Sequence, residues 1–146
     1  MVSWRDAASQ QAQDDLDGLL GPALEFAQQQ LDKRGEFHPY AVVVDVAGQQ
    51  RMVMADIASN PPASADLITR LIAALSEDRD SLRAAAIVAD VRLPETGSDA
   101  VRVTLEHAEH VALSVFLPYR RRWLGRRIDY GDLQAGAAAA LIWPGN

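Results

Sequence analysis

Residues 84–91, AAAIVADV, form an apolar run with Ile87 and Val88 at its centre. A short apolar run without regular alternation of polar residues is typical of a β-strand that is covered on both faces. We therefore predict a central strand at these positions. The side chains of Ile87 and Val88 point to opposite faces of a strand, and both are expected to be buried.

The segments on either side of this run have the patterns of further strands. Valine-rich residues precede the turn sequence Ala47-Gly48-Gln49, and a second extended segment follows it, which indicates a β-hairpin. A second hairpin is indicated by two stretches of alternating apolar and polar residues joined by a turn at residues 107–110. The predicted strands outside the central run are residues 40–46, 50–56, 101–106, 111–117 and 139–143.

Two segments have apolar residues at the three- and four-residue spacing of an amphipathic helix. The first is interrupted by Gly21-Pro22, where we expect a kink or the start of a second helix, and it ends before the capping residue Gly35. The second begins near Ser64 and ends near Glu77. Both helices are expected to pack on one face of the sheet, through Leu19, Leu20, Leu24 and Leu31 of the first and Leu67, Leu71, Ile72 and Leu75 of the second.

The resulting element order, α-β-β-α-β-β-β, predicts an α+β fold with two helices and a mainly antiparallel sheet of five or six strands. With both helices on one face, apolar strand residues remain on the other face. We expect the apolar segment Leu133–Trp143 or a second subunit to cover them, and favour a symmetric homodimer. The chain is predicted to be one domain, 1–146, with a frayed helix or loose tail at residues 1–14 and a loop-rich region at residues 118–138.

The composition limits the functional classes. The 146 residues include 14 basic and 20 acidic side chains, a formal net charge of −6, which opposes general binding of nucleic acid. The absence of cysteine excludes disulfides and thiolate metal sites and is consistent with a cytoplasmic location. We expect no secretory signal and no membrane span, because residues 1–14 are polar and the uncharged stretch 133–146 is too short to cross a bilayer.

The segment Gly35-Glu36-Phe37-His38-Pro39-Tyr40 connects the first helix to the first valine-rich strand. This pattern of Gly-Glu-Phe, one variable residue, proline and an aromatic residue resembles an uncharacterised bacterial family, and the likeness extends loosely to Tyr119. The resemblance implies a bacterial origin and a boundary between helix and strand at Gly35. It implies no activity.

Two histidine–carboxylate groups are candidates for acid–base chemistry or metal binding. The first is the sequence Glu106-His107-Ala108-Glu109-His110, whose residue types suit zinc. Its histidines are three residues apart on a predicted turn, which does not match the helical zinc motifs, so a solvated turn is the alternative. The second group, Glu36 and His38 with Tyr40, alternates along an extended segment and can share one face. A structural cluster at the strand entry is the alternative there.

An arginine-rich segment is the candidate anion site. Residues 119–134 contain five arginines and two aspartates, a charge of +3, so the remainder of the chain sums to −9. Arginine suits phosphate through bidentate hydrogen bonds. The alternative is a basic loop that pairs with the acidic body or with a second subunit. The candidate ligand-binding residues are Arg120, Arg121, Arg122, Arg126 and Arg127.

The sequence contains no glycine-rich phosphate loop, no dinucleotide-binding motif and no nucleophile elbow. We assign no catalytic residue, metal or cofactor from the sequence. The leading hypothesis is a non-enzymatic interaction module that self-associates or binds another protein. The alternatives are a small enzyme with a histidine–carboxylate site and an anion- or nucleotide-sensing domain that uses the arginine-rich segment.

Overall fold

The computed structural model of the chain describes residues 4–55, 63–122 and 127–145. The α+β class is confirmed. The helices are α1 (Trp4–Ala7), α2 (Gln10–Arg34) and α3 (Ser64–Glu77), followed by a 3₁₀ turn at Arg79–Ser81. The strands are β1 (Tyr40–Asp45), β2 (Gln50–Met54), β3 (Leu82–Arg92), β4 (Asp99–His107), β5 (Val111–Arg121), β6 (Ile128–Tyr130) and β7 (Gln134–Ala137).

The strands form one antiparallel sheet in the order β2-β1-β3-β4-β5-β6, and β7 pairs with β5 beside β6. Both predicted hairpins are present, as β1–β2 and β4–β5. Strand β3 lies between β1 and β4, and the side chains of Ile87 and Val88 are both buried, as predicted for a central strand. The prediction of a strand at residues 139–143 is wrong, because the last strand of the described chain is β7. Strand β7 lies within residues 118–138, which were predicted to be rich in loops.

Helix α2 runs through Pro22 as one helix of 25 residues, whereas the sequence predicted a kink or a second helix. A proline inside a helix has no N–H for the carbonyl four residues earlier, here that of Gly18. The side chain of Gln50 in β2 donates to the Gly18 carbonyl oxygen at 2.9 Å and replaces the missing donor. Contact with the sheet therefore permits a helix that local propensity opposes.

The two long helices lie on opposite faces of the sheet, so the prediction that both pack on one face is wrong. On the first face, α2 packs on Val42 and Val44 of β1 in a core that continues across β3, β4 and β5. On the second face, α3 packs on Ala41 and Val43 in a separate core. Strands β1 and β3 carry small or branched apolar residues on both faces, so each face needs its own cover.

The C-terminal segment packs on the second face beside α3, so this face is not the helix-free face for which the segment or a second subunit was predicted as a cover. Ile142 and Trp143 are buried there beside Leu71 and Leu75 of α3. The carboxylate of Glu106, itself buried, accepts the backbone N–H groups of the tail residues. Among the described residues, no helix has the length and apolar composition needed to cross a membrane.

Candidate functional site

His107 is part of a buried contact between α2 and the β4–β5 hairpin. Its Nε2 lies 2.9 Å from Oδ2 of Asp15, and the backbone N–H of Glu109 donates to its Nδ1 at 3.1 Å. Because Nδ1 accepts a hydrogen bond, the proton lies on Nε2 and is donated to Asp15. Arg83 donates to the other oxygen of Asp15 at 2.8 Å. Both ring nitrogens of His107 are occupied by the fold, so this histidine has no nitrogen left for a substrate.

The other members of the Glu106–His110 sequence also hold the fold together, each at a different place. Glu109 accepts the hydroxyl of Ser9, the N-cap of α2, at 2.7 Å. His110 adopts a φ of 64° in the hairpin turn, and its Nδ1 lies 3.1 Å from the carbonyl oxygen of Trp143. His107 therefore contacts α2, whereas His110 contacts the C-terminal segment. Within residues 4–55, 63–122 and 127–145, no group of three or more potential metal ligands converges.

The Glu36, His38 and Tyr40 group lines one groove, of about 310 Å³, between the C-terminal half of α2 and the end of β2. Glu36 and His38 are exposed, but Tyr40 is buried and its hydroxyl donates to the carbonyl oxygen of Ala23. Burial raises the pKa of Tyr40 above its usual value. Tyr40 is thus a core residue. Only Glu36 and His38 of this group have side chains that are accessible for acid–base chemistry.

The arginine-rich segment meets the C-terminal end of α2 at one end of the molecule. A cavity of about 330 Å³ lies between them. The cap residue Gly35 has a φ of 76° and approaches Arg121 closely, since a Cβ at this position would lie 3.0 Å from Nη1 of that arginine. The cavity is lined by Asp32, Lys33, Arg34, Gly35, Arg121, Arg122, Arg127 and Ile128.

This basic cavity gathers five cations from two elements that are far apart in the sequence. Arg122 is paired with Asp129, and the one acidic lining residue, Asp32, accepts the hydroxyl of Tyr130 at 3.3 Å. In the described part of the chain, no carboxylate lies within the 4.0 Å ion-pair distance of the other four cations. These four are Lys33, Arg34, Arg121 and Arg127.

Of the five arginines predicted to bind an anion, the structure describes four, and three of these line the basic cavity. Arg121, Arg122 and Arg127 line the basic cavity, whereas Arg120 lines a wider cleft of about 570 Å³ beside the β3–β4 turn. Arg126 lies outside the described residues. Lys33 and Arg34 were not among the predicted site residues, because cations in the last turn of a helix are favoured by the helix dipole whether or not they bind a ligand. Their place beside the arginines depends on the packing of α2 on the sheet.

A polar cluster beside the cavity was also missed. Tyr119 donates its hydroxyl to Asp90 at 2.6 Å, and the guanidinium of Arg121 lies 5.7 Å from the centre of the Tyr119 ring. Burial raises the pKa of Asp90, and the hydrogen bond from Tyr119 opposes this rise. Burial, together with the smaller effect of Asp32, raises the pKa of Tyr130 to about 12. Tyr119 and Tyr130 remain protonated at neutral pH, and both line the wider cleft that contains Arg120 rather than the basic cavity.

The chain matches no family model, and searches of curated proteins and of solved structures return no significant match to it. The resemblance of residues 35–40 to an uncharacterised bacterial family therefore stays an expectation.

Proposed function

We propose that this chain is a binding domain rather than an enzyme, and that it takes a small phosphate-bearing ligand in the basic cavity between α2 and the β5–β6 hairpin. The observation that carries the proposal is the convergence of five cations on a cavity of about 330 Å³. Small-molecule sites usually have volumes of about 300–1,000 Å³. Guanidinium groups bind phosphate oxygens in bidentate pairs.

The charge distribution supports a small ligand over a nucleic acid. The segment 119–134 has a charge of +3, and the rest of the chain sums to −9. The field of an acidic molecule repels a long polyanion, whereas a small anion contacts the basic cavity alone. The lack of cysteine is consistent with the cytoplasmic location that the sequence predicts.

The position of the histidines is the reason that catalysis is not proposed at the basic cavity, because none of His38, His107 and His110 lines it. A general base needs an available ring nitrogen within reach of the substrate. Both nitrogens of His107 are taken by Asp15 and Glu109, and Nδ1 of His110 is taken by Trp143. Neither histidine lines the basic cavity.

Isothermal titration calorimetry with pyrophosphate and with ATP tests the proposal. We expect saturable binding of at least one of these ligands. Arg34→Gln and Arg127→Gln should each weaken it about tenfold or more, because each removes a charge-assisted hydrogen bond. Arg70→Gln, on exposed residue 70 of α3, is the matched control and should leave the affinity unchanged. Absence of saturable binding, or an equal loss in all three variants, would refute the proposal.

We propose self-association as a second candidate function, on the evidence of strand β2. This strand pairs only with β1 among the described residues, so one edge has unpaired backbone groups. Met52 and Met54 on this strand are 42% and 54% exposed. A second copy of β2 can extend the sheet across a two-fold axis, and exposed apolar edges favour such pairing.

Light scattering coupled to size-exclusion chromatography tests this second candidate. We expect a dimer that dissociates in Met52→Lys, because a lysine on an edge strand opposes edge-to-edge pairing. Leu133→Lys, at another exposed apolar position, is the control and should remain dimeric. A monomer at every concentration would exclude this assembly and leave the ligand proposal unaffected.

A further inference from the structure

The second face of the sheet carries an arginine that the basic cavity does not use. Arg102 lies in β4 between Ala89 of β3 and Phe116 of β5. It points away from the first core, because its neighbours Val101 and Val103 are buried there. Arg102 is half-buried, and its Nε is shielded from solvent with no hydrogen-bond partner in the described part of the chain.

Arg102 also lacks a counter-ion, since none of the ion pairs among the described residues, taken to 4.0 Å, includes it. Glu106 lies on the same face, but its carboxylate accepts the N–H groups of Leu141, Ile142 and Trp143. A carboxylate with three backbone donors is already satisfied. The guanidinium of Arg102 therefore has unused donors for an external anion.

A cavity of about 210 Å³ adjoins this guanidinium, between α3 and the C-terminal segment. Thr104 and Ser114, which face each other across β4 and β5, add two hydroxyl groups to its floor. The walls are aliphatic and include Ile68 and Ile72 of α3 and Leu141 of the tail. The cavity thus has one cationic and hydroxylic side and one apolar side.

We propose that this cavity binds a small aliphatic carboxylate, with the carboxylate on Arg102 and the hydrocarbon chain against Ile72 and Leu141. A single guanidinium matches the single charge and the two oxygens of a carboxylate. The volume is below the usual range of about 300–1,000 Å³ for drug-sized ligands, which favours a short chain. This site lies on the face of the sheet opposite α2, so it is distinct from the basic cavity.

Titration with butanoate, hexanoate and octanoate, followed by NMR of the backbone amides, tests the proposal directly. We expect saturable shifts at Thr104 and Ser114 with at least one carboxylate. The uncharged analogue hexanamide should bind about tenfold more weakly or worse, because it lacks the charge that pairs with arginine. Shifts of equal size with the amide, or no saturable shifts at either residue, would overturn the proposal.

Variants at the site separate the roles of charge and fold. Arg102→Met keeps the apolar stem and should weaken carboxylate binding about tenfold or more. Arg92→Met, at an exposed arginine of β3, should leave the affinity unchanged. If Arg102→Met fails to fold, Leu141→Glu and Leu141→Gln serve instead, since Leu141 is exposed at the cavity. Leu141→Glu should weaken carboxylate binding more than Leu141→Gln, because only the glutamate repels the negative charge of the ligand.

The two binding proposals fail separately. One outcome would overturn the second site: the carboxylate still binds to Arg102→Met and to Leu141→Glu but no longer binds to Arg34→Gln. The carboxylate would then bind in the basic cavity. Loss of pyrophosphate binding in Arg34→Gln with unchanged carboxylate binding would support two independent sites.

Discussion

A few buried carboxylates connect other segments of the chain to the sheet through hydrogen bonds. Asp15 of α2 joins His107 of β4 and Arg83 of β3 in one buried contact. Glu106 holds the tail against the opposite face. Successive side chains of a strand point in opposite directions. His107 therefore contacts α2 on one face of the sheet, whereas the adjacent Glu106 contacts the C-terminal segment on the other face. This alternation explains why a sequence with metal-ligand residue types forms no metal site there.

Asp90 is the residue for which the structure predicts a pH effect on stability. Burial raises the pKa of its carboxyl in the folded state. The folded state therefore keeps a proton that the unfolded state releases, so the contribution of Asp90 to stability falls as the pH rises through the ordinary carboxyl pKa towards the raised value. The contribution is greatest below the ordinary pKa. Above the raised pKa, the destabilisation is complete and constant.

Chemical denaturation between about pH 3 and about pH 7 checks this expectation. Relative to wild type, Asp90→Asn should become more stable as the pH rises, because the amide cannot ionise and still accepts the Tyr119 hydroxyl. Asp132→Asn, at an exposed aspartate, is the control and should follow wild type. A difference between Asp90→Asn and wild type that does not change with pH would contradict the account.

At the level of elements, the continuity of α2 depends on β2. Pro22 leaves the Gly18 carbonyl without its helical donor, and Gln50 supplies one. The first helix was predicted from its periodicity, but its passage through proline was not, because the compensating donor is 32 residues away. A local pattern contains no information about a partner at that distance.

A double-mutant cycle measures this dependence. Gln50→Ala should lower the free energy of unfolding by about 1 kcal/mol, because it leaves the Gly18 carbonyl without a protein donor. In a Pro22→Ala background, the introduced alanine supplies its own N–H, so the same substitution should cost less. Gln49→Ala, at the neighbouring exposed glutamine, is the control. Equal costs of Gln50→Ala in the two backgrounds would show that Gln50 does not replace the proline's missing donor.

In the whole molecule, the sheet has a hydrophobic core on each of its two faces. The sequence predicted both helices on one face. The pairings of β1 with β2 and of β4 with β5 followed from hairpin signals, which are local. The face chosen by each helix did not, because Ala41 and Val43 on one side of β1 are as apolar as Val42 and Val44 on the other. The arginines of the candidate site were recognisable by composition. Lys33 and Arg34 join them only through tertiary packing.

The second core depends on the C-terminal segment, which Glu106 holds against the sheet. Glu106→Gln removes the charge that accepts three backbone N–H groups, and hydrogen bonds to charged groups contribute about 1.5–3 kcal/mol each. We expect faster hydrogen exchange at the amides of residues 141–143 and a lower melting temperature. Glu95→Gln, at an exposed glutamate, should change neither. Unchanged exchange at residues 141–143 would show that Glu106 does not hold the tail.

An amide NMR titration with pyrophosphate decides whether the basic cavity binds a small phosphate-bearing ligand. We predict saturable shifts at Lys33, Arg34 and Gly35 and at Arg121, Arg122 and Ile128, with no shifts along α3. Shifts that are absent, that do not saturate, or that are spread over the whole surface would contradict this claim.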